Sequence, residues 1–272
     1  MSWLDDVASE TQITHRGRLW LYALAGIVLA FLIVPTLIVI PMSFSASQYL
    51  EFPPRQWSLR WYENYFGSTA WMQATATSFK AGFLTTLVAT PLGTLAAYGL
   101  FVSRMRAVQL IHILLITPII VPVVLVAIAV FYVYVKIGLN NSLTGIVLAH
   151  SMLAIPLVIM VVTSALKTYD MSQEMVARSL GASRPRAFLM VTLPQIRFAI
   201  VTSALLSFLT SFDEVIMAIF VSGGANSTLT RNMFNALRDQ IDPTIAAIST
   251  MMVLVTSVLF AASQYFGRSN RD

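Results

Sequence analysis

The sequence predicts an all-α membrane protein with six transmembrane helices and a short cytoplasmic helix between spans four and five. Three observations carry that prediction. Hydrophobic residues make up 57% of the 272 and charged residues only 11%, less than half the charge of an ordinary soluble domain. Apolar runs of about twenty residues recur along the chain, the length a helix needs to cross a hydrocarbon core of ~30 Å. The loops between those runs divide Lys and Arg unevenly, as topology requires.

The runs are Leu19–Met42, Ala81–Val102, Val108–Val135, Leu143–Leu166, Ile200–Val221 and Ile245–Phe266. Hydrocarbon offers no partner to a backbone amide, so a segment that spans it must satisfy its own hydrogen bonds, as a helix does. Pro35, Pro91, Pro118, Pro122 and Pro156 fall inside these runs, and each releases a carbonyl that a neighbour or a hydrated cavity must satisfy. The Pro118/Pro122 pair is expected to kink the third span.

With six spans, Arg16, Arg18, Arg104, Arg106, Lys167, Arg178, Arg184, Arg186, Arg197, Arg268 and Arg271 lie on one side, and Arg55, Arg60, Lys80, Lys136, Arg231 and Arg238 on the other. The richer side is cytoplasmic, which places both termini there. The N-terminus carries Asp5, Asp6 and Glu10 and lacks a basic start before a short apolar core, so it reads as a retained segment and not as a cleaved signal peptide. The expected organisation is one transmembrane domain over 1–272, with a cytoplasmic N-terminal segment 1–18 and a cytoplasmic loop 167–198. The net charge of +5 follows from this topogenic excess and does not call for nucleic acid. With no cysteine there is no disulfide framework, thiolate metal site or thiol nucleophile.

Two outer segments are long enough to have structure. Residues 43–80 hold Trp57, Trp61, Tyr62, Tyr65, Phe66 and Trp71, which read as an interfacial aromatic belt or as a docking surface for an external partner. Residues 222–244 open on Gly223-Gly224 and close on Asp242-Pro243 before the last span.

The cytoplasmic loop is the most informative stretch. Ser172 is a candidate N-cap, with Glu174 near the positive end of the helix dipole. Met175, Val176, Ser179 and Leu180 recur at helical spacing, and Gly181 fits a C-terminal cap. Arg184-Pro-Arg186 then leads into a second apolar segment ending at Leu193-Pro194. A short helix, a glycine turn and a second helix with apolar faces need something to pack on: lipid or a partner's groove.

Ala177-Arg-Ser-Leu-Gly181-Ala182-Ser, followed after nine residues by Val191-Thr-Leu193-Pro194, resembles the loop signature of ABC-importer permeases. That pattern is Glu-Ala-Ala, three residues, Gly, nine residues, an apolar residue, any residue, Leu-Pro. Aligned on Gly181, the Glu-Ala-Ala positions are Met175, Val176 and Ala177, and the acid stands one place early, as Glu174. Phe52-Pro-Pro, Leu59-Arg-Trp-Tyr62, Ser78-Phe-Lys80 and Ser211-Phe-Asp-Glu-Val215 are similar to the spermidine/putrescine-type subgroup of those permeases. The resemblance implies a six-helix subunit of an ATP-driven importer, paired with a second permease, two cytoplasmic ATPases and an external solute-binding protein, in a bacterial inner membrane. It implies that Glu174, Met175, Ala177, Gly181, Ala182, Leu193 and Pro194 form the ATPase-coupling element. It also implies a polyamine as solute, with an amino acid or another organic amine as the alternative. No phosphate-cradling Gly-x-x-x-x-Gly-Lys-[Ser/Thr] loop occurs in the sequence, so the chain is expected to be no enzyme and to bind no cofactor, with ATP and Mg on the partner subunits.

Asp213 and Glu214 fall in the middle of the fifth run, where one Asp costs ~2.5–3.5 kcal/mol. Three readings remain open: pairing with Lys80 or another basic group, lining a hydrated path for a cationic solute, or packing and gating against a second permease. A polyamine suits the second, since its ammonium groups pair with carboxylates. A stand-alone secondary transporter would need more ion-coupling carboxylates than these two, and an intramembrane enzyme would need facing catalytic groups, so no catalytic residue is assigned. His150 reads as a hydrogen-bonded packing residue in preference to a proton relay. The methionines, Met251 and Met252 among them, read as packing and not as metal ligands.

Overall fold

A computed structural model describes residues 14–239 and 242–268, with side chains through residue 258 in the last helix. Most of the N-terminal segment 1–18, and Arg271, lie outside the described residues. In chain order the helices are α1 (Leu19–Met42), α2 (Arg60–Gly67), α3 (Thr69–Val102), α4 (Val108–Ile120), α5 (Val123–Ile137), α6 (Leu143–Thr168), α7 (Ser172–Ser179), α8 (Arg184–Ala187), a π-helical turn Phe188–Thr192, α9 (Leu193–Gln195), α10 (Arg197–Phe212), α11 (Ile216–Val221), α12 (Leu229–Asp239) and α13 (Thr244–Arg268). The pairing Ser45–Trp57 is an isolated bridge, and no strand ladder occurs among the described residues. The all-α expectation holds.

By length and composition, α1 with the turn before it, α3 and α6 are each able to cross a bilayer, and the number reaches five if each of two bent helix pairs is one span. The apolar part of α13 that is described, Thr244–Val258, is shorter. The third expected span, Val108–Val135, is not a single helix: α4 and α5 meet at 99°. Proline chemistry supplies the reason. Pro118 is accommodated inside α4, but the ring of Pro122 drives Val121 into the extended region (φ −73°, ψ 133°) and ends the helix. The expected kink is present and is close to a right angle. A second bend of 79° at Ile196 separates the segment Arg184–Gln195 from α10.

The chain forms two compact units, Met1–Tyr65 with Ile241–Val253 and Phe66–Gln240 with Leu254–Asp272. In the first, α1 buries none of its residues against the rest of the chain, and a helix apolar all round needs lipid or another apolar surface to cover it. The segment after it is closed by its own hydrogen bonds. Ser58 N donates to Phe44 O (2.7 Å) and Ala46 N to Gln56 O (3.0 Å), while Ser43 Oγ lies 2.7 Å from Tyr62 OH. Phe44 packs between Trp57 and Tyr62. Asn64 Nδ2 donates to Thr244 Oγ1 (2.8 Å), tying α2 to the start of α13.

In the second unit the core is a trio of close-packed helices, α3, α6 and α10. Small side chains let the backbones approach, the usual solution where lipid removes a hydrophobic drive for helix association. Ala81, Ala89 and Ala97 of α3 and Ala149 and Ala154 of α6 are buried. A Cβ on Gly93 would sit 2.6 Å from Val158 Cβ, so α3 and α6 touch there only because residue 93 lacks one. Ser203, Ser207 and Ser211 form a buried polar edge on α10. His150 is buried with Nδ1 2.8 Å from Ser211 Oγ, which fits the packing role. A second cluster joins Ala127 and Tyr134 of α5 to Met217 and Val221 of α11.

Candidate functional site

The loop 167–198 is built as a helix, a glycine turn and a second helical segment, as expected, but Ser172 is not the N-cap: Met171 holds that position, without a side-chain cap bond. Asp170 accepts from both Ser172 N (2.9 Å) and Ser172 Oγ (2.7 Å), and Ser172 is the first residue of α7. These two bonds to the charged form hold the Asp170 carboxyl below its ordinary range. At the other end Gly181 takes φ +95°. Its N–H donates to Arg178 O (3.0 Å) and Ala182 N to Ala177 O (3.1 Å), so the chain reverses at the residue type that bears this conformation cheaply.

Glu174 points inward. It is 1% exposed, and its two carboxylate oxygens accept from Tyr98 OH and from Thr192 Oγ1, each at 2.6 Å. Tyr98 lies near the C-terminal end of α3, and its ring packs on Phe188 with centroids 4.3 Å apart. One carboxylate thus ties α7 both to α3 and to the π-helical turn, and each buried hydroxyl has its acceptor. The shift of the acid from 175 to 174 turns it toward the protein interior, while Met175, at its family position, is 59% exposed.

The remaining faces are turned outward. Val176, Leu180, Leu189 and Met190 are exposed, Leu180 at 83%. A shallow cavity of about 350 Å³ runs between the helix and the second segment, lined by Ala177, Leu180, Gly181, Ala182, Ala187 and Met190. Leu193 is half-buried and Pro194 exposed. A fixed loop that presents uncovered Leu, Met and Val side chains around a groove can seat a partner, and it holds no reactive group.

The second set of candidates sits where a helix stops. The fifth expected span, Ile200–Val221, is interrupted: α10 ends at Phe212 and α11 begins at Ile216. Asp213 and Glu214 therefore do not share one helical face pattern, which corrects the expectation of a continuous span. Glu214 explains the break in part. Its Oε1 accepts from Met217 N (2.9 Å) at the start of α11, and its carbonyl accepts from Thr230 Oγ1 (2.9 Å), so amides freed by the interruption find partners. Asp213 is exposed and Glu214 half-buried. Among the described residues the ion pairs are Glu51–Arg55 and Arg238–Asp239, so neither acid pairs with Lys80 or another basic side chain. Lys80 is itself exposed.

The segment after α11 is clamped to α3: Gln73 Nε2 donates to Ala225 O (3.0 Å), and Leu229 N to Ser78 Oγ (2.8 Å). Asp242 Oδ1 accepts from Thr244 N (2.9 Å) and caps α13. The described residues contain no group of three or more His, Asp or Glu able to hold a metal.

Sequence reasoning missed Tyr98 and Thr192. Both are ordinary polar residues in apolar surroundings, 76 and 18 positions from Glu174. The one signal pointing to them was the displaced acid itself.

The profile of the family described as "Binding-protein-dependent transport system inner membrane component" matches residues 89–272. The chain is similar to the spermidine/putrescine transport system permease protein PotC of Haemophilus influenzae, 29% identical over 245 residues, 90% of this chain and 95% of that one. It is equally similar to the putrescine transport system permease protein PotI of Escherichia coli, 29% identical over 250 residues and 89% of each chain. In fold it is similar to a chain in the crystal structure of a bacterial ABC transporter involved in the import of the acidic polysaccharide alginate, with a TM-score of 0.72, 14% identity and coverage of 96% of this chain and 99% of that chain.

Proposed function

We propose, starting from the fact that the chain belongs to the family of binding-protein-dependent transport inner-membrane components, that it is the permease subunit of an ATP-driven polyamine importer. In this reading it forms the translocation path with a second permease, two cytoplasmic ATPases drive it, and an external solute-binding protein delivers the solute. ATP and Mg are held by the ATPases, and both termini are cytoplasmic. The observation that carries the reading is the loop 170–196: an element pinned to α3 through Glu174 whose apolar face is uncovered. A helix that offers such a face fits helix-in-groove recognition. Met175, Ala177, Gly181 and Ala182 would meet the ATPase. Glu174, with Leu193 and Pro194 at the far end of the segment, would make the loop move as one piece with spans four and five.

The solute assignment draws on the relatives named for spermidine and putrescine and on Asp213. An exposed acid at a helix break in a span is the arrangement in which transporters bring polar groups to a substrate path. A carboxylate there suits an ammonium group. An amino acid or another organic amine is the second reading, favoured by the same carboxylate.

The test is ATPase activity and uptake by the assembled complex in proteoliposomes. Stimulation by spermidine or putrescine with the binding protein, lost in Asp213→Asn, supports a polyamine path through that acid. Stimulation by a different amine discards the polyamine and keeps the importer. Gly181→Pro, or Ala177→Asp, should abolish uptake while the chain remains inserted. Undiminished uptake by either variant overturns the coupling role.

A further inference from the structure

We propose that the pocket between the end of α3 and the start of α7 and α8 binds a phosphate group, carried by the headgroup of an anionic membrane lipid. The pocket has a volume of about 660 Å³, and Arg104, Arg178 and Arg184 line it. None of the three forms an ion pair among the described residues. Glu174 also reaches the pocket, but its two oxygens are taken by Tyr98 and Thr192. Three guanidinium groups therefore surround one cavity with a single, already engaged carboxylate between them. Like charges gathered this way repel one another, and a bound oxyanion converts that repulsion into attraction. Guanidinium is the side chain best shaped for it, because its fork donates two parallel hydrogen bonds to a phosphate.

Depth distinguishes a lipid from other phosphates. α3 ends at Val102 and α6 at Thr168, so the pocket lies where two spanning helices leave the hydrocarbon. Phe101, Val102, Met171 and Met175 line it beside the arginines, with Ser103 also in the wall. A cavity that mixes guanidinium groups with apolar side chains matches the junction of a headgroup with its acyl chains, and basic pockets beside spanning helices are the usual seat of anionic headgroups. An occupant would contact Arg178, on the helix that carries the exposed stripe. The site itself stands on the arginines and the cavity, whether or not that helix couples to an ATPase.

The experiment is native mass spectrometry of the full chain in detergent, titrated with phosphatidylglycerol or with phosphatidylcholine of the same acyl chains. Wild type should retain one phosphatidylglycerol in preference to phosphatidylcholine. Arg104→Gln should weaken that binding about fivefold, and Arg104→Gln/Arg178→Gln/Arg184→Gln on the order of a hundredfold. The triple Arg→Lys variant, which keeps the charge and loses the fork, should bind more weakly than wild type and more tightly than the glutamine variant, and it serves as the comparison if the glutamine variant does not purify. Arg16→Gln/Arg18→Gln, which removes cytoplasmic arginines elsewhere, should bind as wild type does. Displacement of the lipid by millimolar inorganic phosphate would keep the phosphate site and assign it to a soluble source. Equal retention of the two lipids, or unchanged phosphatidylglycerol binding in the triple glutamine variant, overturns the proposal.

Discussion

Two acidic sites of this chain, one in the loop 167–198 and one at the break between α10 and α11, have exchanged the environments their positions suggest. Glu174 belongs to a loop outside the hydrocarbon, yet it is buried and both of its oxygens accept from hydroxyls. Asp213 belongs to an apolar run, yet its side chain is exposed and unpaired among the described residues. Each acid answers to a different structure. Glu174 completes contacts within this chain, so its partners are visible. Asp213 is placed by the helix break between α10 and α11 and has no ion-pair partner among the described residues.

The largest effect is expected from Glu174→Ala. It leaves Tyr98 OH and Thr192 Oγ1 buried without an acceptor, and should destabilise the chain by about 3 kcal/mol, read as a lowered unfolding temperature in detergent. An unchanged temperature would show that the carboxylate does not hold the loop. Gly181→Ala comes next. A side chain forced to φ +95° costs about 1 kcal/mol, which should appear as faster proteolysis within the loop and leave the spans intact. Asp213→Asn should shift stability by no more than about 0.5 kcal/mol while reducing amine-stimulated ATPase activity. Loss of fold in that variant would mean the acid has a partner within the chain. The smallest effect is expected at Asp170, whose carboxyl is held below its ordinary value by Ser172. A depressed carboxyl adds stability that is complete above its unfolded-state value and is lost as the pH falls through the folded one. Asp170→Asn should therefore flatten the acid limb of loop stability, followed by hydrogen exchange at α7, and leave neutral pH nearly unchanged.

The helices and the loop plan were legible because their signals are local. Apolar runs define α1, α3 and α6 through composition alone, and α1 falls on Leu19–Met42 as the hydropathy predicts. Gly181 announces its turn because few residues tolerate that conformation. Pro122 announces the end of α4, but not that α5 departs at 99°, since the angle depends on what α5 packs against. The break at 213–215 was missed because Asp213 and Glu214 were read as passengers on a helix. The side chain of Glu214 replaces a backbone acceptor there, a contact that hydropathy does not register. Tyr98 and Thr192 were beyond reach for the same reason: a hydrogen bond across 76 residues leaves no periodic trace.

The exposed Asp213 also bears on how a single copy of this chain sits in lipid. An acid left uncovered in an apolar run costs ~2.5–3.5 kcal/mol at mid-bilayer, and any group that covers it lowers that cost. If the chain is the importer subunit proposed above, an unassembled copy differs from an assembled one by that uncovered charge, a defect that quality control in the membrane can read.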